Sequence, residues 1–101
     1  MHTPSITPAT TGYLIMLALA AGPNSGSEIQ RQIIADAVGE YVSNGTLYEN
    51  LRRLEAGGLI EHVSTHGRER VMALTSRGRK RLEQETKLLQ MIAQTARSRV
   101  L

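Results

Sequence analysis

Nine consecutive apolar residues, Tyr13 to Ala21, stop abruptly at Gly22-Pro23. What must surround them limits what this chain can fold into. Upstream, Thr7-Pro8 reads as an N-cap followed by proline at the first helical position, where its missing N–H costs nothing. Residues 1–6 read as a frayed terminus. The helix so opened is apolar all round rather than along one stripe, so it needs burial on more than one side. It is far shorter than the ~20 residues that span a bilayer, and it lacks the basic stretch that precedes a signal-peptide core. The chain has 101 residues, one domain by size, and the expectation is that a second subunit covers part of this helix. With three Tyr, no Phe and no Trp, the core has to be aliphatic. The absence of cysteine excludes disulfides, thiolate zinc sites and thiol nucleophiles. A soluble cytoplasmic protein is expected, with no membrane partner.

Ser25-Gly26-Ser27-Glu28 is a capping box, in which the Ser25 hydroxyl and the Glu28 carboxylate each take an orphan N–H. The helix behind it carries Ile29, Ile33 and Ala37 on one face, with Ile34 and Val38 beside them, and Gly39 as its stop. Ser43 is the N-cap of a third helix with Leu47, Leu51 and Leu54 at i, i+4 and i+7, ended by Gly57-Gly58. From Leu59 the residues turn β-branched. Leu59–Thr65 and Glu69–Thr75 flank the turn signal His66-Gly67-Arg68 and form a hairpin with a basic tip. Thr75 or Ser76 caps a last helix in which Leu82, Leu89 and Ala96 recur every seven residues. Ile92 lies between them, and Leu88 and Val100 lie close to the same stripe. About three heptads of apolar seam, with little chain left to cover it, predict a partner helix.

The fold class expected is therefore mainly α with a small β-hairpin, in the order α-α-α-β-β-α. That is the order of a winged helix-turn-helix, here extended by a C-terminal dimerisation helix. Residues 1–75 would form the DNA-binding part and residues 76–101 the dimerisation helix of the same compact domain. In this architecture the third helix enters the major groove of double-stranded DNA and the wing reaches the neighbouring backbone or minor groove. The third helix offers Asn44, Thr46, Tyr48, Asn50, Arg52 and Arg53 to phosphates and base edges. Thr46, Tyr48 and Asn50 are the ones placed for base readout. The wing offers His66, Arg68 and Arg70, and the last helix opens with Arg77, Arg79, Lys80 and Arg81. Charge follows the same division. Residues 1–51 hold one basic side chain against four acidic, and residues 52–101 hold eleven against five. Such a skew points to nucleic acid or a membrane surface, or to nothing more than a solvated face.

Three stretches resemble the PadR-type transcriptional regulators. Gly22-Pro23-Asn24-Ser25-Gly26-Ser27-Glu28-Ile29 is similar to their Gly-Pro-x-His-Gly-Tyr-Glu-Ile stretch. The run from Ser43-Asn44-Gly45-Thr46-Leu47-Tyr48 through Leu54-Glu55-Ala56-Gly57-Gly58-Leu59-Ile60 resembles their recognition-helix signature. Leu74-Thr75-Ser76-Arg77-Gly78 resembles the Leu-Thr-x-x-Gly that closes their wing. The resemblance covers roughly residues 12–82 and looks like the smaller of the two subfamilies. It implies a cytoplasmic homodimer, usually a repressor, whose first and last helices form the interface. In this chain that interface would be built by Tyr13, Leu14, Leu17, Leu82, Leu89, Ile92 and Ala96. Three features depart from the family. Ser25 and Ser27 stand where it usually has His and Tyr. Glu49 replaces the usual Pro and puts an acidic group on the recognition helix, where it bears on operator preference. Some small members bind flat aromatic drugs between subunits through Trp, which this chain lacks, so that role is not carried over. A small-molecule effector has no identity in the sequence.

Catalysis and metal chemistry find no support. No glycine-rich phosphate loop, carboxylate pair in an apolar setting or nucleophile–base arrangement occurs, so the chain is not expected to be an enzyme or to need a cofactor. His62 and His66 with Glu61 or Glu69 do not converge as metal ligands. The rival reading is a winged-helix module that docks a protein, favoured by the acidic first half and by Glu49. Single-strand or RNA binding is disfavoured by the lack of an aromatic stacking platform.

Overall fold

The computed structural model describes residues 8–37 and 41–100, with side chains from residue 10 onward. Residues 1–6, Thr7 as an N-cap, and Val38 and Gly39 at the end of the second helix lie outside the described residues. Helix α1 (Pro8–Leu19) has Pro8 at its first position, as proline geometry favours. It sits at the centre of the molecule, packed against all three other helices and the sheet. Ile15, Met16 and Leu19 are almost inaccessible, and Leu14 and Ala18 are buried with them. The all-round apolar helix is thus covered mostly by its own chain. Four neighbours, α2, α3, α4 and the sheet, enclose it from different sides. Leu17 is the large apolar side chain that α1 leaves out, at 38% exposure.

Helix α2 (Gly26–Asp36) is capped by Ser25, whose hydroxyl accepts from the Glu28 N–H at 3.3 Å. The Glu28 carboxylate turns forward to Arg31, 2.7 Å away, instead of back to the cap. Ile29 and Ile33 fill the core, while Ile34 stays at its edge. Helix α3 (Asn44–Ala56) starts at the Ser43 cap and places Leu47, Leu51 and Leu54 inside. It ends on a pair of 6→1 and 5→2 bonds, Leu59 N–H to the Leu54 carbonyl and Gly58 N–H to the Glu55 carbonyl. Gly58 takes the positive φ of +74° that this ending requires.

The hairpin is β2 (Ile60–His66) and β3 (Glu69–Leu74), joined at Gly67, which has φ +62°. Val63 is an extra residue between the His62–Met72 and Ser64–Val71 pairs, a bulge that bends the wing. A third strand, β1 (Asn24–Ser25), pairs antiparallel with β3, so the sheet order is β1-β3-β2. Nothing in an Asn-Ser pair has strand propensity. It is a strand because Gly22-Pro23 delivers it alongside β3.

Helix α4 (Ser76–Val100) runs 25 residues, about 37 Å at 1.5 Å per residue. Thr75 is its cap, accepting from the Gly78 N–H while donating to the carbonyls of Gly58 and Leu59. One hydroxyl thereby joins α3, the wing and α4. Only the first part of α4 is packed: Leu82 is in the core, and Thr86 donates to the Leu82 carbonyl and accepts from the Tyr13 hydroxyl at 2.7 Å. Every residue from Lys87 to Val100 is exposed. No helix among the described residues is long and apolar enough to cross a membrane.

Candidate nucleic-acid interface

The surface of α3 is fixed from below. Leu47, Leu51 and Leu54 point into the core, which leaves Gly45, Tyr48, Glu49, Arg52, Arg53 and Ala56 exposed on the opposite side. The turn that leads into α3 is held by Gln30 of α2, whose amide donates to the Val42 carbonyl and to Asn44 Oδ1, both at 3.0 Å. Asn44 is therefore exposed but already occupied through its carbonyl. Thr46 is half-buried, and its hydroxyl accepts from Ser43 at 3.0 Å while its N–H donates to the same Ser43 oxygen.

Asn50 does not face outward. It is 4% exposed, and its amide donates to the Thr46 carbonyl at 2.8 Å on the side of α1. The base-reading role expected of it from sequence needs a side chain on the groove side, and this one is spent on packing. Its position, three residues from Leu47 and four from Leu54, already lies on the buried stripe of a 3.6-residue helix.

Tyr48 is half in and half out, at 44% exposure. Its ring lies over Gly26 at the start of α2, so closely that a Cβ at Gly26 would stand 2.8 Å from the hydroxyl and 3.1 Å from the ring. That contact, not backbone conformation, is what requires glycine at position 26. It leaves the Tyr48 hydroxyl at the mouth of a cleft between α3 and the wing.

The cleft has a volume of about 300 Å³, with Leu51 and Met72 as floor and Tyr48, Arg52, Glu55, Arg68, Glu69 and Arg70 around it. Its six polar side chains are not equivalent. Arg70 is clamped to Glu55 by two hydrogen bonds, Nη1 to Oε1 at 3.2 Å and Nη2 to Oε2 at 2.8 Å. The bond from Arg70 holds the Glu55 carboxyl below its usual range, and Glu55 in turn raises Arg70. Arg70, expected as a phosphate contact, is therefore first of all a strut between β3 and the end of α3. A second fastening lies beside it: the Ser27 hydroxyl donates to Glu69 Oε1 at 2.6 Å. Neither strut was read from the sequence, because the register of the wing on α3 is a tertiary fact.

Arg52 and Arg68 have no ion-pair or hydrogen-bond partner among the described residues, and both are exposed. Arg53 is paired with Glu49 at 3.3 Å, an i, i+4 contact. His66 is exposed at the wing tip beside Gly67. On α4, Arg77, Arg79 and Lys80 are exposed, and Arg81 faces Glu85 at 3.6 Å. The arrangement is a donor-rich face that runs from α3 across the cleft to the wing tip. Among the described residues no three or more His, Asp or Glu side chains gather as metal ligands.

The residues expected at a subunit interface divide in two. Leu14 and Leu82 are buried in their own chain. Leu17, Leu89, Ile92 and Ala96 are exposed and Tyr13 half-buried. A groove of about 410 Å³ lies between α1 and α4, lined by Thr10, Tyr13, Glu85, Leu88 and Leu89.

Comparison with known proteins gives the following. The family model described as the transcriptional regulator PadR-like family matches residues 15–84. A 37.1 kDa protein encoded in transposon Tn4556 of Streptomyces fradiae is 40% identical over 72 residues, which is 71% of this chain and 21% of that protein. The chain thus spans about a fifth of the length of that relative. The structure of a transcriptional regulator from Clostridium thermocellum superposes with a TM-score of 0.83 at 21% identity, covering 100% of both chains. A PadR family transcription regulator from Clostridium difficile matches with a TM-score of 0.80 at 23% identity, covering 90% of this chain and 98% of that one. At those identities the two structures establish the winged-helix fold.

Proposed function

The chain belongs to the PadR-like family of transcriptional regulators, and on that footing we propose that it binds double-stranded DNA sequence-specifically as a homodimeric repressor in the cytoplasm. The observation that carries this reading is the pair Arg52 and Arg68. Two cations with no partner among the described residues, on separate elements, line one cleft beside the exposed face of α3. That arrangement suits a backbone phosphate seated between helix and wing, with the Tyr48 hydroxyl as a third donor. Asn44, Thr46, Arg53 and His66 stand around this seat as secondary contacts. Asn50 and Arg70 act through structure, one by packing and the other by holding the wing.

Residues 1–75 supply the DNA-binding head, and residues 76–101 the helix that pairs with its counterpart. Leu89, Ile92 and Ala96 form the seam, with Tyr13 and Leu17 at its margin, since Leu14 and Leu82 serve their own core. Two heads then meet half-sites about one helical turn apart on a pseudo-palindromic operator, and occupancy excludes polymerase. An effector that favoured one spacing of the heads over another would release DNA by shifting that equilibrium.

The test is fluorescence-anisotropy binding to DNA from upstream of the gene, with random DNA as competitor, across a salt series. The expected result is specific binding whose log affinity falls with log salt by about 0.9 for each phosphate contacted. Arg68→Glu should lower that slope by roughly 2 for the dimer, one contact per protomer. Equal, weak binding of both DNAs would overturn the proposal in favour of a winged helix that docks a protein.

A further inference from the structure

We propose that Glu49 is a base-reading side chain of α3 and that it accepts from the N4 amino group of a cytosine. The inference rests on the reading that α3 enters the major groove. Glu49 lies on the exposed face of that helix, one turn after Gly45, and a Cβ at Gly45 would meet nothing within 4 Å. Gly45 therefore leaves open space in front of Glu49, whereas its neighbour Tyr48 leans over Gly26 toward the wing.

Its neighbours make the carboxylate conspicuous. Arg52 and Arg53 follow it, and Arg53 Nη2 lies 3.3 Å from Glu49 Oε1. That contact steadies the carboxylate through one oxygen, while Oε2 has no partner among the described residues. Of the other groups on α3 able to read a base, Tyr48 and Arg52 line the cleft toward the wing, and three more are committed elsewhere. Asn44 and Thr46 are tied to the turn by Gln30 and Ser43, and Asn50 is buried.

Electrostatics then select the partner. A carboxylate among phosphates is repelled, so it is tolerated in the groove only against a donor. Guanine presents O6 and N7 there, and thymine presents O4; all are acceptors. Adenine offers its N6 donor but sets the N7 acceptor beside it. Cytosine alone offers a donor, N4, with no adjacent acceptor of its own.

The experiment is selection of bound duplexes from a randomised pool about three helical turns long, for the wild type, Glu49→Gln and Glu49→Ala, with the selected DNA sequenced. The wild type should enrich a cytosine at one fixed position in each half-site, by about tenfold over the other bases. Glu49→Gln should move that position toward adenine, because an amide can pair with N6 and N7 together. Glu49→Ala should leave the position unspecified, keep the rest of the motif, and bind random DNA more tightly. Both variants enriching the wild-type motif unchanged would overturn the proposal and return Glu49 to a solvated pair with Arg53. A wild type that enriches no motif would remove the major-groove reading of α3 itself, and the inference with it.

Discussion

Gly78 is the third residue of α4, and a Cβ built there would overlap the Leu59 carbonyl oxygen. It would also stand 2.8 Å from Leu74 Cδ1 and 2.9 Å from the Leu59 carbonyl carbon. Gly78→Ala therefore pits two effects against each other. In an exposed helix interior the change would stabilise by about 1 kcal/mol, because alanine loses less backbone freedom than glycine. Here the obstacle is backbone that cannot swing aside. The Leu59 carbonyl already accepts from the Thr75 N–H and hydroxyl, and the Leu59 N–H is held by the Leu54 carbonyl. Overpacking a site whose side chains can adapt costs about 1–3 kcal/mol. A rigid carbonyl puts this one at the top of that range, so the net effect is destabilisation by about 2 kcal/mol. For a domain of this size each kcal/mol moves Tm by about 4–8 °C, which sets the expected loss near 10 °C. The assay is thermal unfolding by far-ultraviolet circular dichroism, at matched protein concentration because self-association raises apparent stability. Gly78→Ala melting at or above the wild type would refute the argument. It would show that α4 can move off the wing base without penalty.

Leu89→Glu should give monomers by light scattering and bind DNA far more weakly, since one head contacts too few phosphates; a variant that stays dimeric would move the interface to α1. Asn50→Ala should cost about 1–2 kcal/mol by removing a buried donor while leaving the selected DNA motif unchanged. Loss of an adenine from that motif would instead restore Asn50 as a reader. Because Arg70 lowers the carboxyl of Glu55, their pairing contributes above the ordinary carboxylate range and is lost only as pH falls through the lowered value. Amide exchange along β3 should therefore be governed by the same attachment from neutral to mildly acid pH. It should loosen only as pH falls below the ordinary carboxylate range, and Glu55→Gln should abolish that acid transition. A loosening of β3 near the histidine range would contradict it.

What the sequence made legible, and what it hid, differ in physical kind. Periodicity showed Leu47, Leu51 and Leu54 as one buried stripe, and the same 3.6-residue spacing puts Asn50 on that side. Capping chemistry located Ser25, Ser43 and Thr75, because those interactions are local. The wing struts Arg70–Glu55 and Glu69–Ser27 join residues 15 and 42 positions apart, and no local signal encodes which residues of a hairpin lie over which turn of a helix. Strand β1 was hidden for the same reason. The heptad of α4 misled in a more instructive way. Leu82, Leu89 and Ala96 share one spacing, yet the structure parts them at Thr86: Leu82 belongs to the core with Tyr13 and α1, whereas Leu89 and Ala96 stand bare. A repeat states that a stripe needs cover and says nothing of who supplies it. In the proposed homodimer that division gives α4 a mechanical role. Its first turns are seated against Leu59 through Gly78, and the bare stretch begins about 15 Å further along and continues beyond Ile92. A small change of tilt where Gly78 meets Leu59 would be magnified along the helix and would alter the separation of the two heads.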